Sequence, residues 1–207
     1  MESILLITNC KKYKQNPVKQ KIMWLKKKDI PPYYHIIGDK EYCKDKKYIF
    51  DEKNRILYTN TGDGYNELPS KIITAFRAVY ETMPNIKYVF KTDDNQYLVN
   101  VELFTKLKYV LSHKDICYGG HTIRVTKHIS TLYITHPEFP KDVELEETIY
   151  CTGPFYFLRR DALKNLLEKE DEIYKRYVED HAMGYYLDDV YKNKLLTLPD
   201  NFFIELN

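Results

Sequence analysis

The sequence lacks the features that mark several large classes of protein. Its 207 residues include only seven glycines and one tryptophan, and they contain no tandem repeat and no low-complexity linker. No apolar run is long enough to span a membrane, and no secretory signal pattern is present. We therefore expect a globular chain, either one domain over residues 1–207 or one domain of a longer protein.

Neither the cysteines nor the overall charge indicates a specialised class. The four cysteines, at positions 10, 43, 117 and 151, form no C-x-x-C pair and no zinc-ligand spacing, so we expect reduced thiols and a cytoplasmic location. The 32 basic and 30 acidic residues leave a formal net charge of +2, which gives no reason to expect a nucleic-acid partner. Local lysine runs such as Lys26–Lys28 are typical of solvated surfaces, and proximity to an anionic ligand is the less favoured interpretation. The abundance of Lys, Tyr, Ile and Asn suggests an AT-rich genome, such as that of a large DNA virus or a protist.

The start of the chain contains two short apolar runs with a helical pattern between them. A buried strand is predicted over residues 3–8, a helix begins at Asn16-Pro17, and a second strand covers residues 33–37. The apolar residues Val18, Ile22 and Leu25 recur in that helix at helical spacing, and Trp24 lies beside them. A strand, a helix and a strand in this order indicate the beginning of a parallel α/β sheet.

The rest of the chain continues this alternation. Residues 40–54 are predicted to be irregular, and residues 138–147 to be a loop. Further strands are predicted over residues 55–59, in the run that ends at residue 91, and over residues 115–118. Residues 124–135 are predicted to form a hairpin or paired strands, and residues 149–158 a bend followed by a strand. Helices are predicted over residues 67–83 and 101–111, after a cap at Asp161, and after Asp180. The fold class is therefore α/β: a Rossmann-like, single-domain arrangement with a mixed, mostly parallel sheet flanked by helices.

Two carboxylates and an amide follow the apolar run that ends in Lys91-Thr92. In an open α/β sheet, ligands bind beyond the carboxyl ends of the strands. The oxygens of Asp93, Asp94 and Asn95 suit Mg²⁺ or Mn²⁺, and through that cation a substrate diphosphate. The alternative is a solvated turn in which Asp94 or Asn95 caps the next helix. These three residues alone leave both interpretations open.

Five short motifs follow one another between residues 63 and 184. They are Asp63 to Lys71 at the head of a predicted helix, Lys87 to Asn95 around the acidic cluster, Tyr118-Gly119-Gly120, Tyr150 to Leu163 with Thr152-Gly153-Pro154 inside it, and Glu179-Asp180 with Gly184. In this order and at this spacing they resemble the fringe and β-1,3-galactosyltransferase type of GT-A glycosyltransferase. The resemblance extends over most of the chain.

The resemblance implies a GT-A fold and a hexosyl-type glycosyltransferase. Such an enzyme would move a sugar from a nucleotide-diphosphate sugar, with UDP in preference to GDP, to a hydroxyl of a glycan or glycoprotein. It implies an inverting displacement with Asp180 as the catalytic base, assisted by Mn²⁺ or Mg²⁺. The cation would be held by Asp93, Asp94 and Asn95, and the donor and acceptor loops would include Tyr118, Gly119, Gly120, Thr152, Gly153, Glu179 and His181. Without the motif order, Glu179 and Asp180 would be read as acidic residues in the first turn of a helix.

Other residues are candidates by position. Thr8 and Asn9 end the first predicted strand and Asp39 follows the second, so the switch-point rule makes them candidate nucleotide contacts. Lys71 and Lys91 lie inside the motifs and are candidate cations for the diphosphate, although a structural salt bridge explains Lys91 equally well.

The sequence also departs from the family pattern. Asn95 replaces the last aspartate of the DxD motif, Gly153-Pro154-Phe155 replaces a run of glycines, and His181 stands where valine is common. These 207 residues also contain neither the C-terminal histidine ligand usual in the family nor an apolar run that could serve as its N-terminal membrane anchor. A GT-A-like domain that binds a nucleotide sugar or glycan without turnover is therefore the alternative function. A metal-dependent phosphotransfer or hydrolase domain is a third, and no P-loop or zinc signature supports it.

Overall fold

An eight-stranded sheet forms the centre of the protein, in a computed structural model that describes residues 2–13, 15–100 and 102–205. The strands in chain order are β1 (Ser3–Thr8), β2 (Tyr33–Gly38), β3 (Tyr48–Asp51), β4 (Ile56–Thr59), β5 (Tyr88–Asp93), β6 (Gln96–Leu98), β7 (Tyr118–Val125), β8 (His128–Ile129), β9 (Glu144–Leu145), β10 (Thr148–Arg159), β11 (Leu195–Thr197) and β12 (Phe203–Glu205). The order in the sheet is β11-β7-β10-β5-β1-β2-β4-β3, and only β3 and β10 run against the others. The predicted mixed, mostly parallel sheet is confirmed.

Helices cover both faces of this sheet. They are α1 (Gln15–Gln20), α2 (Lys40–Cys43), α3 (Leu68–Thr82), α4 (Leu103–His113), α5 (Arg160–Leu167), α6 (Glu170–Ile173), α7 (Glu179–Tyr186) and α8 (Asp189–Lys192). A π-helical turn, Lys21–Leu25, continues α1. Among the described residues, no helix is both long enough and apolar enough to cross a membrane.

Alternation along the central strands gives the sheet two apolar faces. In β1, Ile4 and Leu6 face the core under α3, α5 and α7, whereas Leu5 and Ile7 face the core under the π-helical turn that continues α1 and under α4. A parallel strand that is covered on both faces has a continuous apolar sequence. For this reason the predicted bounds of β1, residues 3–8, agree with the structure. The chain leaves β1 for β2 on one side while β5 pairs with β1 on the other, so the strand order reverses at the carboxyl end of β1. This is where open α/β sheets place their ligands.

Several predicted elements are wrong. Residues 40–54 are not irregular: Asp39 caps α2 by accepting a hydrogen bond from the Tyr42 backbone, and β3 then pairs with β4. Residues 124–135 do not form a hairpin, because β7 runs through Val125 and β8 pairs with β9 from the segment that was predicted to be a loop. The predicted bend at 152–154 is a bulge inside one long strand, β10. The predicted start of α4 at Val101 lies outside the described residues.

Two helix predictions are wrong in their details. Asp161 does not cap α5; it lies in the first turn and forms an ion pair with Arg159, which is the cap residue. In the first helical segment, two of the three predicted apolar residues are turned outward: Val18 and Ile22 are exposed. Leu25 is buried as predicted, and Gln20 is wholly buried beside Trp24.

Candidate active site

The acidic cluster lies at the carboxyl ends of two paired central strands. Thr8 of β1 pairs with Asp93 of β5, and the Asp94 backbone N–H donates to the Thr8 carbonyl over 3.0 Å. The chain turns at residues 94–95 and enters β6. The alternative in which Asp94 or Asn95 caps a following helix is therefore wrong, because a strand follows.

Lys91 is a buried cation shared by several acceptors. Its Nζ lies 2.7 Å from Asp93 Oδ1, 3.2 Å from Glu179 Oε2 and 2.9 Å from the Gly153 carbonyl. Burial favours the neutral amine, but the Asp93 and Glu179 carboxylates outweigh it and raise the pKa of Lys91. Lys91 therefore joins the end of β5 to β10 and to the first turn of α7. Direct contact of its ammonium group with a diphosphate stays a prediction.

Glu179 is the buried partner of that lysine. Its side chain is 6% exposed, and its second oxygen accepts a hydrogen bond from the Tyr156 hydroxyl. Burial raises the pKa of Glu179 to about 7, against the opposing effect of Lys91. With both oxygens occupied inside the protein, Glu179 is placed to position other groups.

Asp180 is held by the backbone on both of its oxygens. The Gly153 N–H donates to Oδ2 and the His181 N–H donates to Oδ1, each over 2.8 Å. Burial raises the pKa of this carboxyl, and the side chain nevertheless remains only half-buried. Asp180 thus has a fixed orientation and some access to solvent.

Gly153 separates the two carboxylates of the site. A Cβ at this position would lie 3.5 Å from Asp180 Oδ2, 3.5 Å from Asp93 Oδ2 and 3.6 Å from Lys91 Nζ. The bulge in β10 brings this residue between the end of β5 and the start of α7. The late acidic motif and the strand-end acidic motif, separated by more than 80 residues in the sequence, therefore meet across one glycine.

Asp94 and Thr8 each present a buried oxygen that has no hydrogen-bond partner in the described part of the chain. These atoms are Asp94 Oδ2 and Thr8 Oγ1. Burial raises the pKa of Asp94 to about 6. Because buried polar atoms are rarely left without a partner, two such atoms beside the turn support the predicted ligand contacts at this end of the sheet.

Asn95 is turned away from the other two residues of its motif. Its Nδ2 donates to Glu205 Oε1 over 2.7 Å, and its Oδ1 accepts from Gln96 Nε2 over 3.2 Å. Within residues 2–13, 15–100 and 102–205, no group of three or more His, Cys, Asp or Glu side chains is arranged to hold a metal ion. Coordination by all three motif residues stays a prediction, and it requires the Asn95 side chain to leave Glu205.

A second charged cluster supports the neighbouring strand ends. Lys71 is 1% exposed, and its Nζ donates to the Asn9 carbonyl and to Asp63 Oδ1, each over 2.9 Å. Lys11 pairs with Asp39 over 2.6 Å. Lys71, Asn9 and Asp39 therefore lie together at the ends of β1 and β2 as predicted by position, with their polar groups already engaged in internal contacts. Their contact with a nucleotide stays a prediction.

Tyr118, Gly119 and Gly120 do not form a loop. They begin β7, inside the sheet, where a Cβ on Gly119 would lie 2.4 Å from the Phe157 ring and one on Gly120 would lie 2.6 Å from the Phe155 carbonyl. These glycines are explained by close packing. The prediction of a loop here is wrong, because β10 and β11 pair with this segment from both sides.

The side chain of His181 also points away from the acidic cluster. It is buried, its Nε2 lies 2.9 Å from the Glu146 carbonyl, and its ring stacks on Tyr185. Burial lowers the pKa of His181. Its backbone orients Asp180, whereas its imidazole contributes to packing.

Thr152 is half-buried on β10 and lines a small cavity of about 60 Å³ with His121.

Aromatic side chains surround Asp180. Tyr65 stacks on His136 with ring centroids 3.9 Å apart, and burial followed by the charges of Asp180 and Asp93 raises its pKa to about 12. Burial and the charge of Asp180 likewise raise the pKa of Tyr150. Aromatic faces pack on sugar rings, so the position of these two tyrosines near the proposed base makes them candidate sugar contacts.

Gln20 is a site-supporting residue that the sequence did not reveal. It is wholly buried, and its Nε2 donates to the Asp93 carbonyl over 2.9 Å and to the Gln96 carbonyl over 3.0 Å. One side chain thus joins the two ends of the Asp94-Asn95 turn. The only signal in the sequence was a glutamine four residues before the buried Trp24, on the same side of a helix.

Two large cavities lie away from this cluster. One of about 750 Å³ is lined by Tyr80, Arg160 and Lys164, and another of about 680 Å³ by Ile30, Met83 and Phe104. Both are near the amino ends of the central strands. The polar groups described above, at the carboxyl ends, therefore identify the candidate site better than cavity size does.

Comparison with known families agrees with this geometry. The galactosyltransferase family profile matches residues 11–193, which include both acidic motifs. The chain belongs to the galactosyltransferase family. Among curated relatives of the family, the human UDP-GalNAc:β-1,3-N-acetylgalactosaminyltransferase 1 is 28% identical over 178 residues, which are 79% of this chain and 53% of that protein. The Sus scrofa enzyme of the same name is 26% identical over the same shares. The chain spans about half the length of the curated relatives it matches.

Solved structures confirm the fold class. A glycosyltransferase involved in the glycosylation of the major capsid of PBCV-1 superposes with a TM-score of 0.51 at 11% identity, covering 96% of this chain and 82% of that one. The 2-C-methyl-D-erythritol 4-phosphate cytidylyltransferase of Francisella tularensis superposes with a TM-score of 0.52 at 11% identity, covering 100% and 94%. The galactosyltransferase family member described here therefore has a GT-A-type, Rossmann-like fold.

Proposed function

We propose that this chain transfers a sugar from a nucleotide-diphosphate sugar to a hydroxyl of a glycan or glycoprotein, by an inverting displacement with Asp180 as the base. The observation that carries the proposal is the meeting of Asp180 and the strand-end Asp93 across Gly153, in a member of the galactosyltransferase family. One carboxylate would then face the acceptor hydroxyl while the other lies at the diphosphate end of the donor.

The contacts of Asp180 favour it over Glu179 as the base. Each Asp180 oxygen accepts one backbone N–H, which fixes its direction and leaves lone-pair capacity for an acceptor hydroxyl. As the acceptor oxygen bonds to the anomeric carbon, its proton passes to Asp180, and the bond from sugar to diphosphate breaks with its electron pair on the leaving phosphate. A base positioned in this way contributes typically ~10²–10⁴-fold to the rate. Glu179, engaged by Tyr156 and Lys91, would keep the site in place.

The charge balance of the site supports a divalent cation, Mn²⁺ or Mg²⁺. Asp93, Glu179 and Asp180 gather around the single ammonium group of Lys91, so carboxylates outnumber cations where an anionic diphosphate would bind. A bound cation would neutralise the leaving diphosphate. Mg²⁺ commonly uses one or two protein carboxylates together with substrate phosphates, which suits Asp93 with Asp94 as the protein ligands. Lys91 engages only Oδ1 of Asp93, whose side chain is 32% exposed.

The relatives guide the choice of donor. Their printed names specify UDP-GalNAc as the donor and a β-1,3 linkage. UDP-N-acetylgalactosamine and UDP-galactose are therefore the first donors to test on this chain, and the preference for UDP over GDP belongs to the same proposal.

The test compares the wild type with Asp180→Asn. We expect transfer and slow donor hydrolysis, measured with UDP-sugars and Mn²⁺, to fall by ~10²–10⁴-fold. The affinity for UDP, measured by calorimetry, should persist. Asp189→Asn, an exposed aspartate at the start of α8, is the matched control and should keep full activity.

Two results would contradict the proposal in different ways. If neither UDP nor GDP binds with or without Mn²⁺, the nucleotide-sugar assignment is wrong. If UDP binds but no donor is hydrolysed or transferred by the wild type, the chain is a nucleotide-sugar-binding domain and Asp180 is not a base.

A further inference from the structure

The solvent side of α1 and its π-helical turn carries exposed aliphatic side chains. Val18 is 57% exposed and Ile22 is 74% exposed, and they lie four residues apart on the same side of the helical segment. Met23, beside them, is 39% exposed. Gln20 and Trp24 form the buried side of the segment. Nothing in the described part of the chain covers the aliphatic side chains on its outer side.

Lysines surround these aliphatic residues. Residues 11–29 contain eight lysines and one acidic residue, a formal charge of +7 in a chain whose total is +2. Five of these lysines lie within residues 18–28, where all five are exposed and, within the described ranges, none forms an ion pair: Lys19, Lys21, Lys26, Lys27 and Lys28. We call the exposed side chains of residues 18–28 the α1 surface.

The α1 surface continues onto a small two-stranded sheet. Lys27 Nζ lies over the Tyr97 ring of β6 at 5.6 Å from its centroid. Tyr97 pairs in register with Ile204 of β12, which is 52% exposed. Lys27 therefore lies next to a strand pair that carries a further exposed apolar side chain.

We infer that the α1 surface docks this protein on a membrane that contains anionic lipids. Lysine ammonium groups are attracted to anionic headgroups, and aliphatic side chains between them enter the interface between headgroups and acyl chains. A nucleic acid or an acidic protein segment would satisfy the lysines but would leave Val18 and Ile22 in water. The helical segment of residues 15–25 is far shorter than a membrane span, so it would lie on the bilayer surface.

The inference does not depend on the proposed glycosyl transfer. The lysines and aliphatic residues of the α1 surface lie outside the Lys91, Glu179 and Asp180 cluster. Gln20 nevertheless connects α1 to the turn that follows Asp93, so docking holds the acidic cluster close to the bilayer, about one helix diameter (~10 Å) away.

Vesicle co-sedimentation of the full chain tests the inference. The probes are phosphatidylcholine vesicles with and without roughly one third phosphatidylserine. We expect the wild type to sediment only with the anionic vesicles, and added salt to weaken the binding.

Three sets of substitutions locate the binding surface. Since each lysine contributes about fivefold to partitioning, Lys26→Gln, Lys27→Gln and Lys28→Gln together should lower the partition coefficient by on the order of a hundredfold. Val18→Ser with Ile22→Ser should lower it by about tenfold. The matched control removes the same charge from another exposed run, Lys44→Gln, Lys46→Gln and Lys47→Gln, and should change it by less than about threefold, the residual effect of net charge.

Trp24 reports whether the variants are folded. It is the only tryptophan, and it is buried on the inner side of the same segment, so an unchanged emission spectrum shows that the segment keeps its structure.

Equal sedimentation with neutral and anionic vesicles would overturn the inference. So would a loss of binding in the control as large as in the Lys26–Lys28 variant. Binding to duplex RNA as tight as to anionic vesicles, unaffected by the two serine substitutions, would identify a polyanion site in place of a membrane surface.

Discussion

The backbone N–H of Gly153 donates to Asp180 Oδ2 over 2.8 Å, and this contact joins the bulge of β10 to the first turn of α7. The carbonyl of the same glycine accepts a hydrogen bond from Lys91. Gly153 thus orients both the proposed base, Asp180, and the ammonium group of Lys91, which neutralises the carboxylates around it.

Gly153→Ala should lower turnover without unfolding the protein. The new Cβ meets Asp180, Asp93 and Lys91 at ordinary contact distances of 3.5–3.6 Å, so the fold has room for it, but it occupies the space between the two carboxylates. We expect activity to fall while the melting temperature stays near that of the wild type. Gly184→Ala is the contrasting variant, because its Cβ would lie 2.2 Å from Tyr150 Cβ, and it should lose about 1–3 kcal/mol of stability. Full activity in Gly153→Ala would mean that no substrate passes between the carboxylates.

Gln20→Met should loosen the acidic turn. The methionine keeps the length of the side chain but cannot donate to the Asp93 and Gln96 carbonyls, so these lose a buried partner at a cost of about 1–3 kcal/mol. We expect lower stability by denaturant titration together with weaker Mn²⁺ binding in the presence of UDP. Gln15→Met, at an exposed position of the same helix, should change neither quantity. If Gln20→Met is destabilised but binds Mn²⁺ and UDP as the wild type does, Gln20 supports the fold and not the site.

Glu179 and His35 should give the stability of the protein opposite dependences on pH. The folded-state pKa of Glu179, about 7, lies above its ordinary value of 4.5, so unfolding releases a proton in this window and stability falls as pH rises. Burial lowers the pKa of His35 from 6.5 to about 4, so unfolding takes up a proton there and stability rises with pH. Each effect is on the order of 3 kcal/mol over its full window.

Single substitutions separate the two effects. Between pH 4.5 and 6.5 they oppose each other in the wild type. Glu179→Gln, which stays neutral, should make the stability rise more, or fall less, with pH across this range than that of the wild type. His35→Phe should make it fall more steeply than that of the wild type. Denaturant midpoints measured at several pH values check both slopes, and a wild-type slope retained in Glu179→Gln would contradict the assignment to Glu179.

Asn95→Asp should tighten Mn²⁺ binding. The Asn95 amide now donates to Glu205, whereas a carboxylate in its place would be repelled by Glu205 and would be free to bind a cation held by Asp93 and Asp94. One added charged ligand should improve the affinity by about an order of magnitude, measured by calorimetry with UDP present. Glu205→Gln is the control: it removes the charge of the acceptor that holds Asn95 without adding a ligand. If Asn95→Asp changes neither Mn²⁺ nor UDP affinity, residues 93–95 form a turn and not an anchor for the donor.

The sequence alone determined the central strands and the two acidic motifs. The apolar run of β1 and the one before Asp93 are covered on both faces, so their composition indicates a parallel sheet without further information. The order of motifs from Asp63 to Gly184 then identified the family type. These features depend on local pattern and on position along the chain, which a sequence contains in full.

Tertiary structure alone decided which side chains meet and which helix face is buried. The spacing of Val18 and Ile22 predicts an apolar side for the first helix, but the protein buries Gln20 there, because the carbonyls at both ends of the Asp94-Asn95 turn need a donor. In the same way, only the fold brings Gly153 between Asp93 and Asp180. The spacing of apolar residues shows which side chains share a face of a helix or strand. Which face is buried also depends on the polar groups of the neighbouring element that need a hydrogen-bond partner.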